Sequence, residues 1–115
     1  MTTSTPSGGD PAGLLLIEQI RDERGVALQL RGELDLSSAP ELKRRLADIA
    51  GASPGRLLID LSELEFMDSS GLALIIQAEH TARANGHQLR LAPGPPQVQR
   101  LLELTRTLDF FTFED

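Results

Sequence analysis

The chain has 115 residues, with no cysteine, tryptophan or tyrosine, and its 17 acidic against 11 basic side chains give a formal charge of -6. One domain fits this length, and the absence of thiols excludes a disulfide framework, a thiolate zinc site and a cysteine nucleophile, which suits the reducing cytoplasm. The acidic balance speaks against direct nucleic-acid binding, because that affinity comes from clustered Lys and Arg, and the aromatic side chains are limited to Phe66, Phe110, Phe111 and Phe113.

Residues 1–13 are rich in Thr, Ser, Gly and Pro, carry one acid and lack Lys and Arg. They have neither the basic nor the apolar region of a signal peptide and are expected to form a disordered tail. The remainder, 14–115, is expected to be one domain. Its longest strictly apolar stretch, Leu72 to Ile76, is far short of the approximately 20 residues that cross a bilayer. A soluble protein with no membrane contact is expected.

Leu14 to Arg21 reads as a strand, Asp22 to Gly25 as a turn, and Val26 to Leu34 as a second strand in which Val26, Leu28 and Leu30 alternate with Ala27, Gln29 and Arg31. The short turn predicts an antiparallel hairpin. Ser38-Ala39-Pro40-Glu41 has the spacing of a capping box with proline in the first helical turn. Leu42, Leu46 and Ile49 then continue at helical spacing, with Lys43, Arg44 and Arg45 on a solvated face. Gly51 to Gly55 breaks this helix, and Leu57 to Leu61 predicts a strand buried on both faces.

A short loop then leads into a second helix, expected over Ser69 to Asn85 with Leu72, Ile75, Ile76 and Ala82 buried and Asn85-Gly86 as a left-handed stop. Gln88 to Ala92 predicts another strand. After the Pro93-Gly94-Pro95-Pro96 stretch, Val98, Leu101, Leu102 and Thr105 mark a third helix, and the Phe-rich end is expected to dock on the core. The order implies an α/β fold: a mixed β-sheet opened by an antiparallel hairpin and covered by three to four α-helices.

The chemistry concentrates in Asp60-Leu61-Ser62-Glu63-Leu64-Glu65-Phe66-Met67-Asp68-Ser69-Ser70-Gly71-Leu72. Asp68 and both serines fall at a helix start, where the first amides lack intrahelical acceptors. Asp68 or Ser69 can cap that helix. An exposed serine there is also a good seat for phosphate, since free N–H groups and the helix dipole favour negative charge. The two roles are compatible.

Met67-Asp68-Ser69-Ser70-Gly71-Leu72, preceded by Gly32-Glu33-Leu34-Asp35 and followed by Pro96-x-Val98-x-x-Leu101, resembles the signature of bacterial anti-sigma factor antagonists, the stand-alone STAS domains. The resemblance covers roughly Leu14 to Phe113. It implies a STAS-like fold and a partner-switching role: the unphosphorylated protein binds an anti-sigma factor and frees the sigma factor, and the phosphorylated protein lets go. The partner would be a serine kinase with a histidine-kinase-like ATPase fold, and a metal-dependent serine phosphatase would reverse its action. Ser69, directly after the Asp, is the implied phosphoacceptor. Ser70 stands where the family also accepts threonine or alanine and is the second candidate. Asp35, Asp68, Ser69, Ser70 and Gly71 are the implied partner-binding residues, with Asp68 placed to orient the hydroxyl. Such a module is not itself an enzyme and implies no metal or cofactor.

Leu57 to Ala82 contains no Lys or Arg, whereas Asp60, Glu63, Glu65, Asp68 and Glu79 are acidic. Phosphate on Ser69, adding about -1.5 to -2 charge, is therefore expected to be held by the helix terminus. It would act by repulsion and steric block without refolding the domain. Asp35 has an ordinary alternative as a solvated or turn-bonded acid. The same fold could instead serve as an accessory subunit of an ABC-type lipid transporter. An enzyme with Ser69 as nucleophile and His80 as base fits poorly, because helical residues eleven apart are about 16 Å apart along the axis. His80 and His87 are expected at the surface and not as metal ligands. Arg106-Thr107 stands where the family commonly has Gly-Leu; if the family's glycine has a positive φ, either Arg106 takes that strain or the third helix ends differently.

Overall fold

The computed structural model describes residues 14–52 and 55–114; the expected N-terminal tail lies outside the described residues. The elements are β1 (Leu15–Asp22), β2 (Gly25–Leu34), α1 (Ala39–Gly51), β3 (Arg56–Met67), α2 (Ser69–Ala84), β4 (Gln88–Ala92), α3 (Pro96–Leu104) and a closing 3-10 turn, Leu108–Phe110. The sheet order is β1-β2-β3-β4. The hairpin β1-β2 is antiparallel, and β2-β3 and β3-β4 are parallel, so the expected mixed sheet is present.

The alternation in β2 has its expected cause: Val26, Leu28 and Leu30 are buried beside Leu15, Ile17, Ile59 and Leu91, and Leu42, Ile49, Leu72, Ile75, Val98 and Leu102 of the helices join the same core. The opposite face of the sheet is only partly buried at Ala27, Gln29, Leu58, Asp60 and Arg90, and Arg31 is exposed. This corrects the expectation that β3 is buried on both faces. Ile59 and Leu61 are fully buried, while Leu57 and Leu58 are partly exposed.

β3 also continues to Met67, where a loop from Ser62 onward was expected. Its pairing with β2 slips between Gln29/Arg31 and between Gly32/Glu33, each time leaving one extra residue on β3. These bulges turn the buried positions into Leu61, Leu64 and Met67, three apart instead of two. A period-two reading cannot detect such a strand. Bulging also uses Gly32, whose φ is 103° and whose added Cβ would lie 2.2 Å from the Leu14 carbonyl oxygen. Only glycine fits there.

The helix ends divide into two expectations met and one corrected. Gly86 has φ 72°, and the amides of Gly86 and His87 donate to the carbonyls of Arg83 and Ala82, which is a Schellman stop for α2. The same double bond closes α3, from Arg106 to Glu103 and from Thr107 to Leu102, and it forces Arg106 to φ 59°. The substitution of arginine in this turn therefore leaves the geometry intact at the cost of backbone strain. At the start of α1, Ser38 forms no capping box: its φ/ψ of -97°/-18° is helical, and its hydroxyl turns away from the helix. Side-chain capping needs an extended residue at that position. Glu41 pairs with Arg44 and Arg45 instead, and burial of Phe111 together with a bridge from Phe113 to Leu91 docks the C-terminus as expected.

Candidate functional site

The site lies where β2 and β3 end side by side. Leu34 pairs with Met67, so the turn that follows β2 meets the single residue, Asp68, that separates β3 from α2. Asp68 is extended, with φ/ψ of -104°/-175°. Its amide donates to the Leu34 carbonyl at 3.1 Å. One carboxylate oxygen accepts from the Gly71 amide at 3.0 Å, and the other accepts from the Leu36 amide at 3.3 Å. Asp68 is thus the helix cap, and it also ties α2 to the turn that contains Asp35.

Gly71 fits this tie for a steric reason. A Cβ there would stand 2.6 Å from Leu34 Cγ and 2.8 Å from the Leu34 carbonyl oxygen. The residue is buried, so it backs the site and presents no side chain to solvent. Ser70 is partly buried and Ser69 is exposed. Neither serine hydroxyl is hydrogen-bonded among the described residues, and because Asp68 satisfies only the third amide of α2, the amides of Ser69 and Ser70 remain open.

Asp35 is held by its own turn. Its Oδ1 accepts from the Ser37 amide at 3.0 Å, the Ser37 hydroxyl at 2.9 Å and the Ser38 amide at 3.0 Å. Burial pushes this carboxyl upward, but the bonds from Ser37 and Ser38 outweigh it and hold Asp35 below the usual carboxylate range. The turn-bonded arrangement foreseen for Asp35 is therefore present, within a turn tethered to Asp68. Ser38, 5 % exposed, locks the turn from beneath: its hydroxyl donates to the Glu33 carbonyl at 2.8 Å and accepts from the Asp35 amide at 2.9 Å.

Two apolar side chains that sequence reasoning passed over stand in this region. Leu36 is 74 % exposed in the Asp35 turn and Phe66 is 47 % exposed at the end of β3. A leucine within an Asp-Ser turn was the available signal for Leu36. Phe66 was hidden, because its outward direction depends on the β3 bulges. The acidic, Lys/Arg-free stretch does receive a cation from outside: Arg31 on β2 pairs with Glu63 at 3.6 Å. Among the described residues no Lys or Arg forms an ion pair with Asp35 or Asp68.

His80 is exposed on α2 and packs against Phe110, with ring centroids 5.3 Å apart, and shares no hydrogen bond with Ser69. A Ser-His pair is not assembled. No helix among the described residues is long and apolar enough to cross a membrane.

Fold and site together define a small α/β domain that presents a serine and two apolar side chains beside a capping aspartate. The chain belongs to the STAS-domain family, whose model matches residues 16–115. It is 28% identical over 89 residues to the anti-sigma-B factor antagonist of Bacillus subtilis (strain 168), covering 77% of this chain and 81% of that protein. It is 26% identical over 95 residues to the protein of the same name from Staphylococcus aureus (strain NCTC 8325 / PS 47), covering 83% and 88%. The crystal structure of an anti-sigma factor antagonist from Mycobacterium paratuberculosis superposes with a TM-score of 0.74 at 24% identity, covering 86% of this chain and 84% of that one. Bacillus SpoIIAA matches in two states. The TM-score is 0.68 for both, at 20% identity and 86% and 87% coverage for the unphosphorylated form, and at 19% identity and 86% and 91% coverage for the phosphorylated form.

Proposed function

We propose that this protein is an anti-sigma factor antagonist that switches partners by phosphorylation of Ser69. The observation that carries the reading is an exposed, unbonded serine hydroxyl at the first position of α2, beside two open amides and next to the tethered Asp35 turn. In the dephosphorylated state the domain docks on the anti-sigma factor through Leu36 and Phe66, with Asp35 and Asp68 supplying the charged rim. Burying the area that Leu36 and Phe66 still expose contributes about 2–4 kcal/mol towards binding, scaled from about 1.5–3 kcal/mol for a fully exposed side chain.

The partner kinase brings ATP to this face. The Ser69 oxygen attacks the terminal phosphorus, the bond from that phosphorus to ADP breaks, and the hydroxyl proton passes to a catalytic base of the kinase as the new O–P bond forms. Asp68 orients the helix start and hence the hydroxyl; the nucleotide and catalytic groups belong to the partner. The resulting phosphate faces the open amides of Ser69 and Ser70, which hold it without a basic side chain. About -1.5 to -2 added charge then repels any partner surface adapted to a neutral serine. That SpoIIAA has this same fold in both its unphosphorylated and its phosphorylated form supports a switch without refolding. A serine phosphatase restores binding.

Incubation with the cognate anti-sigma kinase and ATP, followed by mass spectrometric mapping, should place phosphate on Ser69. Ser69→Ala should bind the kinase and take up no phosphate, and Ser69→Asp should not bind. Normal phosphorylation of Ser69→Ala would refute the assignment and direct attention to Ser70. Co-purification with a transporter ATPase, without phosphate uptake, would refute the sigma-pathway reading.

A further inference from the structure

The flank of α2 away from the Ser69 region carries a second feature. A groove of about 440 Å³ runs between α1 and α2. This lies within the range of roughly 300–1,000 Å³ usual for small-molecule sites and is about three times the roughly 150 Å³ apolar cavity that accepts benzene. Its walls are built from Leu46 and Leu74, and the gap is left open by small residues, Ala47 and Ala78, on the facing helices. On α2 the lining extends from Leu74 to Asn85, about 16 Å at 1.5 Å per residue.

Charge identifies the occupant. In a chain of formal charge -6, no Asp or Glu among the described residues lines this groove. Lys43 does line it, is exposed, and makes no ion pair among the described residues, while its basic neighbours Arg44 and Arg45 are both engaged by Glu41. His87 lies near the C-terminal end of α2, also on the lining. We infer that the α1-α2 groove is a binding site for an aliphatic carboxylate of medium chain length, its tail along the apolar walls and its carboxylate on the Lys43 ammonium. The apolar walls supply most of the affinity, and the lysine supplies the sign preference. A cationic amphiphile would meet the ammonium as a like charge, and an uncharged one would leave it unused.

The test titrates the whole protein with decanoate, decanol and decyltrimethylammonium and follows backbone amide and methyl resonances. The expected result is saturable binding of decanoate with shifts centred on Leu46, Leu74 and Ala78. Decanol should bind about 1.5-fold to fivefold more weakly, matching the loss of one exposed ion pair, and the cation should bind more weakly still. Lys43→Gln should bring decanoate down to the affinity of decanol and leave decanol unchanged. Ala78→Leu should abolish both by filling the groove; Ala47→Leu, at an exposed position of α1, makes the same test if the first variant does not fold.

Shifts confined to other surfaces, equal affinity for decanol and decanoate, or undiminished binding in a folded groove-filling variant would overturn the assignment. So would sedimentation showing a ligand-free dimer that Ala47→Leu dissociates, because the groove would then be an interface between copies. Each readout is independent of Ser69 phosphorylation.

Discussion

Asp68 performs two separable jobs, and substitution can divide them. Its Oδ1 bond to Gly71 at 3.0 Å is a helix cap, whose removal costs typically about 1 kcal/mol. Loss of the charge at the positive end of α2 adds about 0.3–1 kcal/mol. The bond to the Leu36 amide at 3.3 Å adds little to stability, because that amide sits in an exposed turn and water replaces the carboxylate. Asp68→Ala should therefore destabilise the domain by about 1.5–2 kcal/mol, a fall in melting temperature of roughly 6–9 °C at this size.

Asn caps as well as Asp, so Asp68→Asn should lose only the charge contribution, about 0.5 kcal/mol and roughly 2 °C. Its amide group cannot serve as a second acceptor for Leu36, so the tie to the Asp35 turn should loosen. Thermal melts by far-ultraviolet circular dichroism, paired with initial rates of phosphate uptake, separate the two effects. Asp68→Asn should lower phosphorylation and partner affinity out of proportion to its small stability loss. If Asn destabilises as much as Ala, the side chain is not acting as a cap. If Asn is phosphorylated at the wild-type rate, the tether to the Asp35 turn has no part in the switch.

Three further outcomes follow from the geometry. Arg106→Gly should stabilise by about 0.5–1 kcal/mol, the left-handed strain of about 1–2 kcal/mol less the entropy that glycine gains on unfolding; a lower melting temperature would show that the arginine side chain makes a compensating contribution. Gly32→Ala should cost about 3 kcal/mol or more in urea unfolding, since a Cβ would clash with the Leu14 carbonyl at 2.2 Å, whereas Gly51→Ala, with open space around it at the end of α1, should be neutral or stabilising. Asp35 has a folded pKa below its unfolded value, so its contribution to stability is complete above about pH 4 and is lost as pH falls through the folded value. Asp35→Asn should therefore show a shallower loss of melting temperature between about pH 5 and pH 3 than the wild type, and identical slopes would mean that the Ser37 and Ser38 bonds do not persist in solution.

Signals confined to neighbours in the chain were legible in the sequence. Alternation in β2, helical spacing of Leu42, Leu46 and Ile49, and the Asn85-Gly86 stop all predict elements the structure contains. The Asp68-Ser69-Ser70-Gly71 segment, too, was correctly placed at a helix start. Misreadings arose where a nonlocal partner changed a local rule. β3 lost its period-two pattern because pairing with β2 absorbed two extra residues. Ser38 gave up its cap because its hydroxyl found Glu33 and Asp35. Glu79 was not foreseen as buried: it lies inside α2's packed face, with one oxygen bonded to Arg83 at 2.6 Å and the guanidinium 4.7 Å from the Phe110 ring.

Composition, periodicity and two separated motifs determined the class of the domain, the order of its elements and the serine that begins α2, because each is written in residues close together along the chain. Tertiary structure decided what surrounds that serine. Joining Asp68 to Leu36, seating Gly71 against Leu34 and turning Leu36 and Phe66 outward all depend on β2 and β3 ending in register. The physical reason is that bulges and strand register are set by pairing between segments more than thirty residues apart. The net acidity is likewise a property of the sequence, but only packing shows that, among the described residues, no acid lines the α1-α2 groove and Lys43 at its rim is unpaired.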